Sequence, residues 1–262
     1  MAITDNIYAT QTGTTVLTQG LFELSANRQY DFGHAIRLND GRTFKYAKCG
    51  GVALAAGVLL QSAVKGSAAS DLINCVLTGT TPVVAGSTTM TVTLANSGST
   101  YGLAANELTG GFLNVNDATG EGYQYKVKSN TALATTVAGI VELADPLRLA
   151  VVAASSEVTL QPSEFNGAII SPTTVTGLPL GISPVAVTLA APYFWCQTYG
   201  NAIGLQGSVW VLGNYLSPSL STAGSIIAQL VANTGVHAMS IGYPLRVGVD
   251  TEYGPLFLTL QS

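Results

Sequence analysis

The chain has 262 residues, of which 9% are charged and 47% hydrophobic, with 29 glycines and a net charge of −4. Ten basic residues scattered from Arg28 to Arg246 form no cluster, which excludes nucleic acid as a direct partner, since phosphate binding needs grouped Lys and Arg. No apolar run nears the ~20 residues of a spanning helix, so the low charge points to surface buried in a stable assembly rather than to a membrane.

The start, Met1 to Ile7, lacks a basic segment followed by an apolar core, and no secretory signal is expected. Thr4 to Gln19 is rich in Thr, Gln and Gly and low in apolar periodicity. It reads as an extended arm or a loosely held edge strand, either a disordered tail or an arm that orders on a neighbour. Phe32–Leu38, the turn residues Asn39-Asp40-Gly41, and Arg42–Lys48 form the clearest hairpin, because Asn, Asp and Gly tolerate positive φ. In its second strand Phe44 and Tyr46 alternate with Thr43, Lys45 and Ala47, predicting one aromatic and one polar face. Gly57 interrupts Val52–Gln61 and favours a turn between short strands over a helix.

From about Thr78 to Gln161 turn signals recur every ten residues or so. Met90, Val92 and Leu94 alternate with threonines; Phe112–Val115, Tyr123–Lys128, Ile140–Leu143 and Ser156–Leu160 complete a set of short strands. A short helix competes with strand only at Leu147–Ala154.

Phe165 to Leu245 contains no Asp, Glu, Lys or Arg, whereas a typical soluble domain is about a quarter charged. Runs rich in Val, Ile, Leu and aromatics are punctuated by Gly200-Asn201, Gln206-Gly207 and Gly213-Asn214, which predicts strands and tight turns. Ser221–Ala232 has some helical character, but Gly224 and the β-branched Ile226 and Ile227 favour strand. Charges return at Arg246, Asp250 and Glu252, ahead of a closing apolar run, Gly254–Leu260. The fold class expected is all-β, with short antiparallel strands forming sandwich- or barrel-like units and an extended N-terminal arm. The expected organisation is an arm at 1–30, framework strands at 31–77 packing with the C-terminal unit, a middle β unit at 78–161, and the uncharged unit at 162–262.

Motifs of chemistry are sparse. His34 and His237 have no Cys, Asp or Glu at short metal-binding spacings. There is no Gly-x-Ser-x-Gly elbow and no phosphate loop. Asp117 and Glu121 are the pair from which a glycoside-hydrolase acid set is most easily imagined, and they read better as solvated turn acids. Trp195, Trp210, Tyr193 and Tyr199 are candidates for a sugar platform, against the more usual role of such residues in core or interface. Cys49, Cys75 and Cys196 are widely spaced and odd in number, which predicts reduced, buried thiols. No catalytic, metal-binding or cofactor-binding residue is assigned, and no enzyme activity or cofactor is expected.

Three stretches carry a family resemblance: Leu38–Lys48 with Leu54–Gly57, Gly120–Lys128, and Ala190–Gly200 with Gly242–Leu245. In their order along the chain they resemble structural proteins of tailed-bacteriophage virions, of the head-decoration (cement) type. The resemblance implies a catalytically inert homo-oligomer, a trimer first, bound to the major capsid protein on the capsid exterior after assembly in the host cytoplasm. It transfers no functional residue, and a tail, baseplate or host-recognition component of the particle is the alternative it leaves open.

Overall fold

The computed structural model describes residues 7–10, 13–64, 72–79, 82–95, 101–153, 155–174, 176–229 and 239–261. Among these there is no helix. The chain divides into two compact units, one made of residues 1–64 and 164–262 and the other of residues 65–163. The first unit contains β1 (Ile7–Thr10), β2 (Gly13–Val16), β3 (Ala35–Arg37), β4 (Thr43–Cys49) and β5 (Leu59–Gln61). The second contains β6 (Cys75–Leu77), β7 (Thr89–Thr93), β8 (Gly102–Leu103), β9 (Phe112–Asp117), β10 (Gln124–Asn130), β11 (Leu133–Ala134), β12 (Gly139–Leu143) and β13 (Glu157–Gln161). The first unit then resumes with β14 (Asn166–Ile170), β15 (Pro179–Ile182), β16 (Tyr193–Leu205), β17 (Tyr215–Pro218), β18 (Ile226–Gln229), β19 (Gly242–Pro244) and β20 (Tyr253–Thr259).

The second unit is a closed antiparallel barrel in the order β10-β12-β7-β6-β13-β9, with β10 returning to β9. Its strands follow the alternation of their sequence. Met90 and Val92, Leu113 and Val115, Tyr125 and Val127, Val141 and Leu143, and Val158 and Leu160 point inward and join one core. Threonines, asparagines and lysines take the outer positions, because successive side chains leave opposite faces of a strand. In β12 the inward residues are Val141 and Leu143, which leaves Ile140 exposed. Near the ribbon formed by β8 and β11, Asn130 is buried and satisfied: its Oδ1 accepts from the Leu108 N–H at 2.8 Å and its Nδ2 donates to the Ala104 and Thr131 carbonyls. The segment Leu147–Ala154 is not helical in its described part; Val151 bridges Val83. The expected boundary near residue 77 also differs. β6 is a barrel strand pairing with β13 and β7, so this unit reaches back beyond the run of threonines that seems to open it.

β16 organises the first unit. Its first half, Tyr193 to Tyr199, pairs with β4, and its second half, Tyr199 to Leu205, pairs with β20. Gly200 sits at this change of partner with φ +86°, and a Cβ there would lie 3.0 Å from the Arg42 Cα. A side chain would meet both strain and backbone. On one side of the change the pairings β16-β15-β5-β14-β4 return to β16 and close a five-stranded ring, parallel only between β14 and β4. Inside it lie Ala47, Cys49, Leu60, Ala168, Leu180, Phe194 and Cys196. On the other side β16-β20-β19-β17-β18 comes back to the chain just beyond β16. Gln206 bridges Ile226, the Gly207 N–H donates to the Ile226 carbonyl, and the Ala228 N–H donates to Ser208 Oγ. This second ring encloses Trp210, Leu216, Ile226, Leu256 and Leu258. Closing both rings leaves few free strand edges.

Two expectations are corrected here. The expected hairpin of β3 and β4 forms, with Ile36 opposite Phe44 and Gly41 at φ +86° in its turn. The expected polar face of β4, however, is covered. Ala47 and Cys49 fill the first ring, Phe44 and Tyr46 pack beneath residues 17–38 on the opposite side, and Thr43 is buried as well. Lys45 and Lys48 remain half-buried, with Lys45 Nζ on Gln261 Oε1 at 2.6 Å and Lys48 Nζ 5.8 Å from the centre of the Tyr193 ring. The second correction is the arm. β1 and β2 pair as a hairpin, and the chain after it folds onto its own unit, burying Leu17, Gln19 and Leu21. The polar composition misled because these polar groups are satisfied internally: the Leu21 N–H donates to Tyr8 Oη and the Thr18 N–H to Tyr30 Oη.

Candidate functional site

The residues first considered for chemistry do not come together. His34 is exposed, its ring stacked on Tyr30 at 5.3 Å, and His237 lies outside the described residues. Asp117 and Glu121 share the exposed turn between β9 and β10, where Asp117 Oδ1 accepts from the Ala118 N–H at 2.7 Å. Among the described residues no group of three or more His, Cys, Asp or Glu is placed to hold a metal ion. Cys49, Cys75 and Cys196 are free thiols and buried, and burial pushes the Cys49 and Cys196 thiols up from their ordinary pKa.

The four aromatic candidates for a sugar platform are mostly interior. Trp195 and Trp210 are wholly buried, each donating its indole N–H to a carbonyl, Gln19 at 3.0 Å and Ile226 at 2.9 Å. Tyr193 and Tyr199 are half-buried, stacked on Phe32 and edge-on to Phe257 respectively. Their rings stabilise the unit instead of lining a groove.

The feature that stands out lies on the outside of the second ring. Trp210 and Gly248 form an antiparallel bridge, and Leu216 pairs with Gly242 in the same register, with five residues between the two pairs on each strand. Trp210 points into the ring, and a Cβ at Gly248 would strike the side chain of Gln206, which is also interior. Val209 and Val211 flank Trp210, and Val247 and Val249 flank Gly248, so alternation about the bridge turns these four valines away from the interior. All four valines are about half exposed or more, from 48% at Val211 to 65% at Val247. Farther along the same ribbon Tyr215 and Tyr243 face outward, their rings 5.3 Å apart and tilted by 45°. Leu212 and Leu245, in the segments between the two pairs, are exposed as well.

Its electrostatics are simple. Residues 207–214 carry no ionisable side chain, and the segment bridged to them carries Arg246 before its valines and Asp250 and Glu252 after them. All three are exposed, and among the described residues Arg246 and Glu252 make no ion pair. Asp250 Oδ1 accepts from the Thr251 N–H at 2.9 Å and holds that β-branched residue at φ +69°, outside its comfortable range. The surface can bury apolar area and present both signs of charge at its margin. In the sequence the two tryptophans are the more conspicuous feature, and the surface around Trp210 has a fainter mark. The signal present was the short alternation of Val209 and Val211 about Trp210, matched by Val247 and Val249 about Gly248. In the second unit a recess of about 240 Å³ is lined by residues such as Thr78, Pro82, Val83 and Met90, without an ionisable group.

No protein-family model matches the chain, and searches of curated proteins and of solved structures yield no match.

Proposed function

We propose that the chain is a structural component of a tailed-bacteriophage particle, a head-decoration (cement) protein. In this reading it binds the major capsid protein on the outer lattice as a homo-oligomer and holds the shell against internal genome pressure. The observation that carries the proposal is the outward ribbon face of Val209, Val211, Val247, Val249, Tyr215 and Tyr243. A contiguous apolar surface of this kind is unfavourable on a free monomer and suits a permanent interface. The resemblance of three stretches of the sequence to decoration proteins supplies the particle. Closed rings and a closed barrel suit a subunit that must stay rigid while its neighbours are under tension. Contacts of mostly apolar and neutral polar character should survive high salt, because little of the binding is open to screening.

The test is a particle assembled without this protein. Such particles should form, then release genome at lower temperature than complete ones, and added protein should restore the difference. Particles that retain DNA equally well without it, yet fail to adsorb to cells, would remove the decoration reading. The exposed Tyr215–Tyr243 pair favours the second reading, a tail-associated or host-recognition module, because paired tyrosine rings can stack on a sugar face. Binding of isolated protein to cell-envelope glycan, lost in Tyr243→Ala, would select it.

A further inference from the structure

We infer that the outer ribbon face is where one copy of this chain meets another. The inference rests on the proposed oligomeric decoration protein, and it assigns to that oligomer a surface and residues. Val209, Val211, Tyr215, Tyr243, Val247 and Val249 are each about half exposed or more, an apolar set of the kind that stable interfaces bury.

The chemistry of the surface selects a like partner. Its centre is aliphatic, so the matching surface must be aliphatic too. Polar partners would leave their own groups unsatisfied against valine. Its margin carries Arg246 on one side of the Val247–Val249 segment and Asp250 and Glu252 on the other, with both Arg246 and Glu252 free to pair. A surface with a single sign of charge would repel its own copy. This one is complementary to itself: a rotated copy brings Arg246 of one chain to Asp250 or Glu252 of the next while the valines close between them. The residues concerned are exposed, and the bridge that positions them is held from inside by Trp210 and Gln206. Substituting the outer side chains therefore leaves the ring intact.

The full chain is examined by light scattering at micromolar concentration, with its thermal melt as a check on folding. The wild type should have a mass at least twice the 26.9 kDa of one chain. Val211→Asp and Val247→Asp should melt as folded proteins and dissociate, with association weakened about tenfold or more by a carboxylate in an apolar contact. Arg246→Glu alone should weaken association, and combining it with Glu252→Arg should restore it, which a merely disturbed fold would not do. A monomeric wild type, or aspartate variants of unchanged mass, overturns the inference. If those variants keep their mass but no longer bind stripped particles, the face belongs to the capsid contact; the inference falls and the decoration reading stands. If association depends on the face as described, yet particles hold their genome equally well without the protein, the decoration reading falls and the interface remains.

Discussion

The indole N–H of Trp195 donates to the backbone carbonyl of Gln19 over 3.0 Å, joining residues 176 positions apart in the buried interior of the first unit. Gln19 itself is 3% exposed and connects three further groups. Its Nε2 donates to the carbonyls of Glu23 and Tyr193, both at 2.9 Å, and its Oε1 accepts from the Tyr46 hydroxyl at 2.7 Å. The segment that looked like a free arm therefore closes the aromatic layer formed by Tyr30, Tyr46 and Trp195, whose rings lie about one van der Waals contact apart.

Replacing Gln19 with Leu removes these side-chain bonds; the Tyr193 carbonyl keeps the Ser25 N–H, but the Glu23 carbonyl loses its side-chain donor and the buried Tyr46 hydroxyl its acceptor. A loss of about 2–4 kcal/mol of unfolding free energy is expected in urea denaturation. Deleting residues 1 to 20 should be worse, since Leu17 goes with Gln19 and the Trp195 ring is uncovered; the truncated chain should melt far below the full one or fail to fold. A deletion that melts like the full chain would show that this segment is not part of the unit.

Tyr46 gives the stability an alkaline limit. Burial, with smaller contributions from the neighbouring Tyr193 and Tyr30, pushes its hydroxyl up to about 12 from an ordinary 10.0, against the opposing Gln29 N–H. The folded state thus disfavours the tyrosinate. Its contribution is complete below pH 10 and is lost as pH rises toward 12, on the order of 2 kcal/mol over that interval. Tyr46→Phe should be less stable at neutral pH but should fall less steeply between pH 10 and 12. Parallel slopes for the two proteins would assign the alkaline loss to another group.

All three thiols should be slow to label in the native protein and should react together once it is unfolded. Cys196 is wholly enclosed in the first ring, where burial raises its thiol pKa, and no base stands beside it. Rapid native labelling of Cys196 would mean that β16 opens readily from β15 and β4.

The second unit should fold by itself. Among the described residues its core runs from Leu72 to Leu160, and the Leu160 N–H donates to the Leu72 carbonyl at 2.8 Å, so the chain enters and leaves side by side. A fragment of residues 65–163 should show strand-type circular dichroism and a cooperative melt. The remainder, rejoined by a short Gly/Ser linker, should retain the first unit. A fragment without a cooperative transition would make the barrel dependent on the rest of the chain.

The sequence by itself settled what depends on neighbours along the chain. Alternation at Met90 and Val92, at Tyr125 and Val127, and at Val158 and Leu160 assigned strands and their inner faces, because a two-residue period is a local property of extended backbone. Asn39-Asp40-Gly41 marked a turn for the same kind of reason, and Gly41 does adopt the positive φ that the turn needs. The tertiary structure alone decided what depends on distant partners. It made β4 interior on both faces, because β14 and β16 flank it and residues 17–38 lie over it, while the sequence showed only a half-polar strand. It turned a Thr- and Gln-rich start into a buried clasp by supplying Tyr46 and Trp195 as partners from across the unit. It also placed Trp210 inward and its four valine neighbours outward. Which face of a ribbon meets the core is fixed by the closure of the ring behind it, through Gln206 and Ile226, and no local pattern carries that information.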